Sequence, residues 1–318
     1  MPQSVQAIHA RWVIPVEPTN TVLDHHTVVI EDSQLAAIVP TAQWQSSGAH
    51  VEEISLPEHA LIPGLVNAHT HAAMSLFRGM ADDRPLMDWL ENHIWPAEAR
   101  AINREFVRDG TRLAAAEMLL GGTTCFNDMY FFGDEAASAA IEAGIRAVIG
   151  MIVIGFPSAW AADVDEYFRK GQAVHDKFRD HPLITSAFAP HAPYTVDDHA
   201  LRRIATLAEE LDLPVHMHVQ ETKDEVERAI AVSGVRPLRR LQGLGLVTPR
   251  LLGVHMTCLD DDELDLLAHS GATVVHYPES NLKLASGFCP VAKLLARGVN
   301  VGCRPDAASS NNDLDMLG

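Results

Sequence analysis

The chain has 318 residues, of which 47% are hydrophobic and 21% charged, and its formal net charge is −18. This length allows one large domain or two smaller ones, and the hydrophobic content allows a sizeable core, which excludes a disordered or low-complexity protein. So acidic a surface repels phosphate backbones, which excludes nucleic acid as the first choice of partner and favours neutral or cationic small molecules.

The cysteines and the apolar runs bear on the cellular compartment. No apolar run approaches the ~20 residues of a membrane span, and the N-terminal residues lack the pattern of a signal peptide. The four cysteines are far apart and show no CxxC spacing, which is typical of reduced thiols. We therefore expect a cytoplasmic protein that does not bind membranes.

Residues 1–59 contain short runs of β-forming residues separated by turn-like residues. This pattern predicts a small antiparallel unit resembling a β-sandwich, as a domain of its own over 1–59. The predicted strands are Val5–Ile8, Trp12–Val16, Thr27–Glu31, Leu35–Val39 and His50–Leu56.

From Ala60 onwards, continuous apolar runs alternate with amphipathic helical stretches, the pattern of a parallel sheet covered on both sides. Eight such repeats predict an α/β fold, a (β/α)8 TIM barrel over 60–318. A doubly wound open sheet is the alternative, but no GxGxxG follows the first strand. The predicted strands are 60–67, 123–128, 146–153, 183–189, 214–219, 251–256, 272–277 and 299–303. The clearest predicted helices are Arg104–Leu120, Asp163–Phe178, Asp197–Leu211 and Asp260–Ser270.

The sequence ends at Gly318, soon after the eighth predicted strand. The eighth helix would begin near Asn312, so the prediction is a truncated barrel that lacks most of its last helix.

The end of the first barrel strand carries His69 and His71. Residues at i and i+2 of a strand point to the same face, so both imidazoles can face the barrel mouth, where barrel enzymes carry their chemistry. This pair predicts a metal site.

The fifth strand carries a second pair, His216 and His218. His218 is nearer the carboxyl-terminal rim, so we predict that it is the third metal ligand and that His216 is structural, one layer deeper. Glu221 follows just beyond the strand, from where its carboxylate can reach a water on the metal.

The sixth strand carries His255 and the eighth ends at Asp306. The imidazoles of His69, His71 and His218, together with the carboxylate of Asp306, suit Zn²⁺, with Fe²⁺ as the alternative. A metal in such a site lowers the pKa of a water toward ~7. We expect one ion, because the fourth strand ends in Pro190-His191 and offers no bridging lysine.

Several stretches in this order resemble the amidohydrolase superfamily, and most closely its branch of 5-methylthioadenosine/S-adenosylhomocysteine deaminases. Chlorohydrolases and guanine deaminases are similar but more distant. The stretches are PGLVNAHTHAAMSLFRG from Pro63, GTTCFNDMY from Gly122, APHAPYT from Ala189, HVQET from His218, PESNLKLASG from Pro278 and the terminal ASSNNDLDMLG.

The resemblance implies a zinc-dependent hydrolase that removes the 6-amino group of adenine nucleosides and releases ammonia. It implies that Glu221 carries protons to the ring nitrogen and the leaving ammonia, and that His255 orients the attacking water. The metal ligands it implies are His69, His71, His218 and Asp306.

The resemblance also implies substrate contacts. Glu98 corresponds to an acid that binds the ribose hydroxyls, His191 to a histidine beside the sugar, and Ser310 to a serine near the base. Relatives that accept the amino-acid tail of S-adenosylhomocysteine carry an arginine after strand three, where this chain has Met151. Methylthioadenosine or adenosine is therefore expected as the substrate ahead of S-adenosylhomocysteine, and the resemblance implies a homodimer.

Two alternatives stay open. A guanine, pterin or s-triazine ring could replace adenine at the same metal site, although Glu98 favours a ribose-bearing substrate. The chain could also be an inactive truncated remnant, since Arg304, Pro305 and Ala307 depart from the usual residues around Asp306.

Overall fold

The computed structural model describes residues 5–45, 51–81, 84–303 and 308–316. The chain divides into two compact units, Met1–Gly64 and Leu65–Gly318, here called the N-terminal unit and the barrel unit. Within the described residues, no helix combines the length and apolar character needed to cross a membrane.

The N-terminal unit is a single four-stranded sheet in the order β3-β2-β1-β4. Strand β1 pairs antiparallel with β2 but parallel with β4, so the sheet is mixed rather than wholly antiparallel. Its described residues form one layer, where a sandwich would need two. The strands are β1 (Val5–Val13), β2 (Leu23–Glu31), β3 (Gln34–Pro40) and β4 (Val51–Leu61), with a 3₁₀ turn over Thr41–Gln43.

Two predicted boundaries in this region were wrong. The runs predicted separately at Val5–Ile8 and Trp12–Val16 belong largely to one strand, β1, whose register shifts between Ala10 and Trp12. The strand predicted over 60–67 spans two elements, because β4 runs to Leu61 and the first barrel strand begins at Leu65. Proline and glycine at 63 and 64 separate them, since proline has no N–H to donate to a ladder.

The barrel unit contains eight strands that pair in chain order, each parallel to its neighbours. This arrangement confirms the predicted (β/α)8 architecture. The strands are β5 (Leu65–Thr70), β6 (Thr123–Asp128), β7 (Arg146–Val153), β8 (Ile184–Pro190), β9 (Val215–Val219), β10 (Leu251–His255), β11 (Thr273–His276) and β12 (Asn300–Cys303).

Several of the longer helices of the barrel unit begin directly after a capping side chain. Asp163, Asp197 and Asp260 each accept a hydrogen bond from an N–H in the first turn of the helix that follows, so each of these helices begins one residue after its predicted start. The α-helices are α1 (Leu86–Trp89), α2 (Trp95–Ala101), α3 (Arg104–Leu120), α4 (Gly133–Ala143), α5 (Val164–Phe178), α6 (Asp198–Glu210), α7 (Lys223–Ser233), α8 (Pro237–Gly243), α9 (Asp261–Ser270), α10 (Pro278–Lys283) and α11 (Val291–Ala296). A 3₁₀ helix covers Ala72–Phe77 and a π-helical turn covers Leu90–Ile94.

The last described stretch, residues 308–316, consists of turns and irregular structure and contains no helix. Leu314 is fully buried, and its N–H donates to Glu117 of α3 at 3.1 Å. Arg78 donates to the carbonyl of Asn312 at 2.5 Å. These contacts hold the stretch against the barrel unit and bring Ser310 to the site described next.

Candidate metal centre and active site

Three imidazoles meet at the carboxyl-terminal end of the barrel strands. His69 lies in β5, His71 directly after it, and His218 in β9. The ring of His69 is 4.7 Å from each of the other two, centre to centre, and one nitrogen of each residue lies within 4.8 Å of the others. The structure thus brings together three of the four predicted ligands, while the fourth, Asp306, lies outside the described residues together with Arg304, Pro305 and Ala307.

The hydrogen bonds of these rings fix which nitrogen faces the common point. His71 Nδ1 donates to the carbonyl of Met129 at 2.6 Å, and His218 Nδ1 donates to the carbonyl of His191 at 2.8 Å. His69 Nδ1 contacts Nε2 of His216. The carbonyl partners of His71 and His218 leave Nε2 of each with a lone pair, and His69 Nε2 has one as well when its Nδ1 donates to His216, the usual arrangement of histidine ligands.

A cation fits this arrangement. His69 Nε2 and His218 Nε2 are 3.0 Å apart, and two lone pairs at that distance repel each other unless a positive charge lies beside them. Burial and the neighbouring imidazoles hold the pKa of His218 well below its usual range, so the ring is neutral, as a ligand must be. Neutral imidazoles converging in this way suit Zn²⁺.

His216 takes the deeper position predicted for it. It is fully buried in β9, and its Nε2 contacts the ring of His69 rather than joining the three converging nitrogens. This contact holds the plane of the His69 ring, so His216 would orient that ring toward the common point.

Glu221 and His255 form a second group beside the histidines. Glu221 Oε2 is 3.7 Å from His255 Nε2, and both side chains are buried. The ring of His255 stacks on that of His218 at 5.4 Å, centre to centre. A carboxylate and an imidazole next to a metal site can transfer protons and orient a water.

His255 is held in an unusual conformation. Its φ is +70° and that of Met256 is +45°, in the left-handed region that side chains other than glycine rarely adopt. His255 Nδ1 donates to Asn281 Oδ1 at 2.8 Å, which leaves Nε2 facing Glu221. Strain that the surroundings hold in place is typical of functional positions.

Sequence reasoning missed two residues of this group, Asn281 and Ser286. Asn281 orients His255, and Ser286 Oγ donates to Glu221 Oε1 at 3.2 Å. Both lie within the stretch PESNLKLASG, so the motif itself was the signal, but nothing in its spacing shows which residues its side chains contact.

Glu98 reaches the same pocket from α2. Tyr130 Oη donates to Glu98 Oε1 at 2.7 Å, and burial, partly offset by this hydrogen bond, raises the pKa of Glu98 to about 7. The carboxylate therefore changes charge near neutral pH and, when ionised, can accept hydrogen bonds from hydroxyl groups.

The remaining wall of the pocket is mostly apolar. His191 and Ser310 line it, and burial holds the pKa of His191 down at about 3, so its ring is neutral. Among the described lining residues there is no arginine or lysine. The apolar wall consists of Met74, Leu86, Trp89, Leu90, Ile94, Trp95, Met129, Phe131, Ile152, Ile154, Phe156 and Leu284.

Met151, which the sequence analysis placed at the arginine position after strand three, does not face the pocket. Met151 packs against α5, where an added Cβ on Gly171 would meet it at 2.9 Å, so it faces away from the pocket. Ile152 and Ile154 face the pocket instead, because side chains alternate along β7. The residue that corresponds to the arginine is therefore Ile152 or Ile154 rather than Met151, and the pocket wall there is still apolar.

The chain is similar to known deaminases, including one that was solved with bound zinc. A 5-methylthioadenosine/S-adenosylhomocysteine deaminase of Saccharophagus degradans is 52% identical over 310 residues, covering 98% of this chain and 70% of that protein. A 5′-deoxyadenosine deaminase of Methanothermobacter thermautotrophicus is 45% identical over 293 residues, covering 92% of this chain and 67% of that protein. A solved adenosine deaminase from Xanthomonas campestris with bound zinc matches with a TM-score of 0.96 at 52% identity, covering 98% of this chain and 71% of that one.

The amidohydrolase family matches residues 60–318, which include every strand of the barrel and all the histidines described above. With a family match over most of its length and relatives more than half identical to it, this chain belongs to the amidohydrolase family.

Proposed function

We propose that the chain is a zinc-dependent aminohydrolase that converts the 6-amino group of adenine nucleosides to a carbonyl group and releases ammonia. The observation that carries the proposal is that three converging imidazoles, two of which line the pocket, lie together with the Glu221–His255 pair and the buried carboxylate of Glu98. The names of the relatives support it, since those compared above are deaminases of adenine nucleosides.

His69, His71 and His218 would hold the zinc, with Asp306 proposed as the fourth ligand from the sequence alone. When bound, the ion supplies Lewis-acid activation of a water molecule. His216 and the carbonyls of Met129 and His191 orient the three imidazoles.

The protons of the reaction pass through Glu221. Its carboxylate takes a proton from the attacking water and delivers it to the ring nitrogen beside the amino-bearing carbon, and a further transfer lets the amino group leave as ammonia. His255, fixed through Nδ1 by Asn281, presents Nε2 to the same water and orients it. Water and the amine are thereby exchanged for a carbonyl and ammonia.

Glu98 favours a nucleoside over a free base. Its ionised carboxylate can accept hydrogen bonds from both hydroxyls of a ribose, and a guanine or triazine ring offers no such pair. His191 and Ser310 are proposed to contact the sugar and the base.

The apolar wall favours a short, uncharged 5′ substituent. Ile152, Ile154 and Phe156 line the pocket, and no described lining residue could clamp a carboxylate with two hydrogen bonds. We expect kcat/KM for 5′-methylthioadenosine to exceed that for S-adenosylhomocysteine at least about tenfold, since burying an unpaired charge costs several kcal/mol. Equal or reversed values would contradict this assignment.

The decisive experiment is a deamination assay of the purified, zinc-loaded chain with 5′-methylthioadenosine and adenosine, followed by ultraviolet absorbance. Glu221→Gln should lower kcat at least about 100-fold, the usual contribution of a general acid–base group, while bound zinc stays stoichiometric. Glu135→Gln is the matched control, because Glu135 is also buried but pairs with Arg104 and Arg108 on the outer helices. A zinc-loaded, folded chain without turnover of any adenine nucleoside would overturn the proposal.

A further inference from the structure

We propose that Glu225 is a positioning residue: its carboxylate fixes the two successive backbone amides that lead into Glu221, and so sets the orientation of the proton-carrying side chain. Glu225 lies in the first turn of α7, and 7% of its surface is exposed. Its Oε1 accepts the N–H of Gln220 at 3.0 Å, and its Oε2 accepts the N–H of Glu221 at 2.8 Å. This inference rests on the proposed function, because the two bonds matter for catalysis only if Glu221 carries the protons of the reaction.

The two bonds exceed what the helix requires. In α9, the capping-box residue Glu263 binds back to the N–H of its own N-cap, Asp260, at 3.1 Å. Glu225 has the same spacing from its N-cap, Thr222, whose hydroxyl accepts the N–H of Glu225 at 3.2 Å. The carboxylate of Glu225 nevertheless binds the N–H groups of Gln220 and Glu221, the two residues before the cap, and not the N–H of the cap itself.

The segment needs such support. Gln220 has a φ of +51°, a left-handed conformation that costs an ordinary side chain about 1–3 kcal/mol unless its surroundings hold it. The conformation turns the chain out of β9, so that Glu221 leaves the strand direction and its carboxylate lies beside His255 and Ser286. The carboxylate of Glu225 satisfies both amides of this turn in a buried place.

Other contacts hold the turn on its remaining sides. Thr257 Oγ1 donates to the carbonyl of Glu221 at 2.8 Å, and the side chain of Gln220 bonds to the carbonyl of Cys258 at 2.9 Å and to the N–H of Leu238 at 3.0 Å. Of these contacts, only that of Glu225 binds the amide of Glu221 itself. Loss of the Glu225 carboxylate should therefore leave the orientation of the Glu221 side chain less restricted, while the three converging histidines keep their positions.

The first test uses Glu225→Gln, which keeps the shape but places an amide N–H₂ against one backbone N–H. We expect kcat for 5′-methylthioadenosine to fall about 10- to 100-fold, as small misplacements of catalytic groups do, with KM within about threefold and bound zinc unchanged. Glu135→Gln, equally buried and away from the turn, should leave kcat within about twofold. Unchanged kcat in Glu225→Gln, or a loss matched by the control, would overturn the inference.

A second test does not depend on turnover. Amide hydrogen exchange in the zinc-loaded chain should show protection at residues 220 and 221 that falls at least about tenfold in Glu225→Gln, while protection of the β9 amides stays constant. Unchanged protection at 220 and 221 would overturn the inference even if the wild type deaminates adenine nucleosides. If the wild type is inactive, the proposed function fails, and exchange alone still decides whether Glu225 fixes this turn.

Discussion

At the scale of single residues, the site depends on which nitrogen or oxygen each side chain presents. The imidazoles can act as ligands because each Nδ1 is engaged elsewhere, and His255 can orient a water because Asn281 takes its other nitrogen. These partners lie far away in sequence, so the residues that tune the site are harder to predict than those that form it.

The contact between His216 and His69 predicts an effect on metal affinity. His216→Phe removes the partner of His69 Nδ1 and keeps a ring of similar size in the core. We expect zinc affinity to fall about 10- to 100-fold, as is usual when a residue that orients a ligand is lost. Competition against a chromophoric chelator would measure it, and an unchanged affinity would show that His216 only fills space.

The raised pKa of Glu98 predicts a pH-dependent KM. Its pKa of about 7 means that the carboxylate is ionised above pH 7, where it can accept two hydroxyl hydrogen bonds, and is protonated and a poorer acceptor below pH 7. The KM for adenosine should therefore rise as pH falls through 7.

The control for this prediction is 2′,3′-dideoxyadenosine, which lacks both hydroxyls. Its KM should be nearly constant over the same pH range, and Glu98→Gln should abolish the pH dependence of KM for adenosine. The same midpoint with both substrates would assign the titration to another group.

At the scale of elements, close packing places the turn that follows His71. The 3₁₀ helix over Ala72–Phe77 lies so near α3 that a Cβ on Gly110 would be 2.4 Å from the carbonyl oxygen of Ala73. Glycine at 110 is therefore required for the close approach of α3 to the 3₁₀ helix. The position of this helix, which follows the proposed ligand His71, depends on that approach.

Gly110→Ala should accordingly destabilise the protein by about 1–3 kcal/mol, the usual cost of overpacking, although alanine favours helices. Gly243→Ala is the control, because Gly243 is also a helical residue, the last of α8, but an added Cβ there has nothing within 4 Å. We expect the control to be neutral or to stabilise by up to about 1 kcal/mol. Urea unfolding of both variants would decide, and equal effects would contradict the packing argument.

Element boundaries show where sequence patterns suffice. The helices predicted at Arg104–Leu120 and Asp260–Ser270 are found with shifts of at most one residue, because amphipathic period and capping residue act locally. The strand predicted over 60–67 was wrong because apolar runs on either side of a Pro-Gly break look continuous. The parallel pairing of β1 with β4 was also missed, because pairing partners are not local.

At the scale of the whole molecule, the proposed zinc would connect the first and fifth strands of the barrel unit, β5 and β9. Because the ligands come from strands separated by three others, binding to the native state alone should stabilise the barrel as a unit. Zinc at 100 times its dissociation constant would add about 2.7 kcal/mol.

Removal of the metal should therefore lower the melting temperature of the chain by several degrees, and added zinc should restore it. His69→Ala should melt at the same temperature with and without chelator, because it lacks a proposed ligand. A chelator-insensitive wild type would argue against a site at these three histidines.

The sequence by itself determined the (β/α)8 order, the histidine pairs at strand ends and the helix starts, because strand alternation, helical period and capping all act within a few residues. Only the tertiary structure decided that Ile152 rather than Met151 faces the pocket, that Asn281 holds His255, and that Glu225 binds the turn before Glu221. Those contacts join separate elements, and their partners are chosen by packing and by the need to satisfy buried polar groups, which no local pattern records.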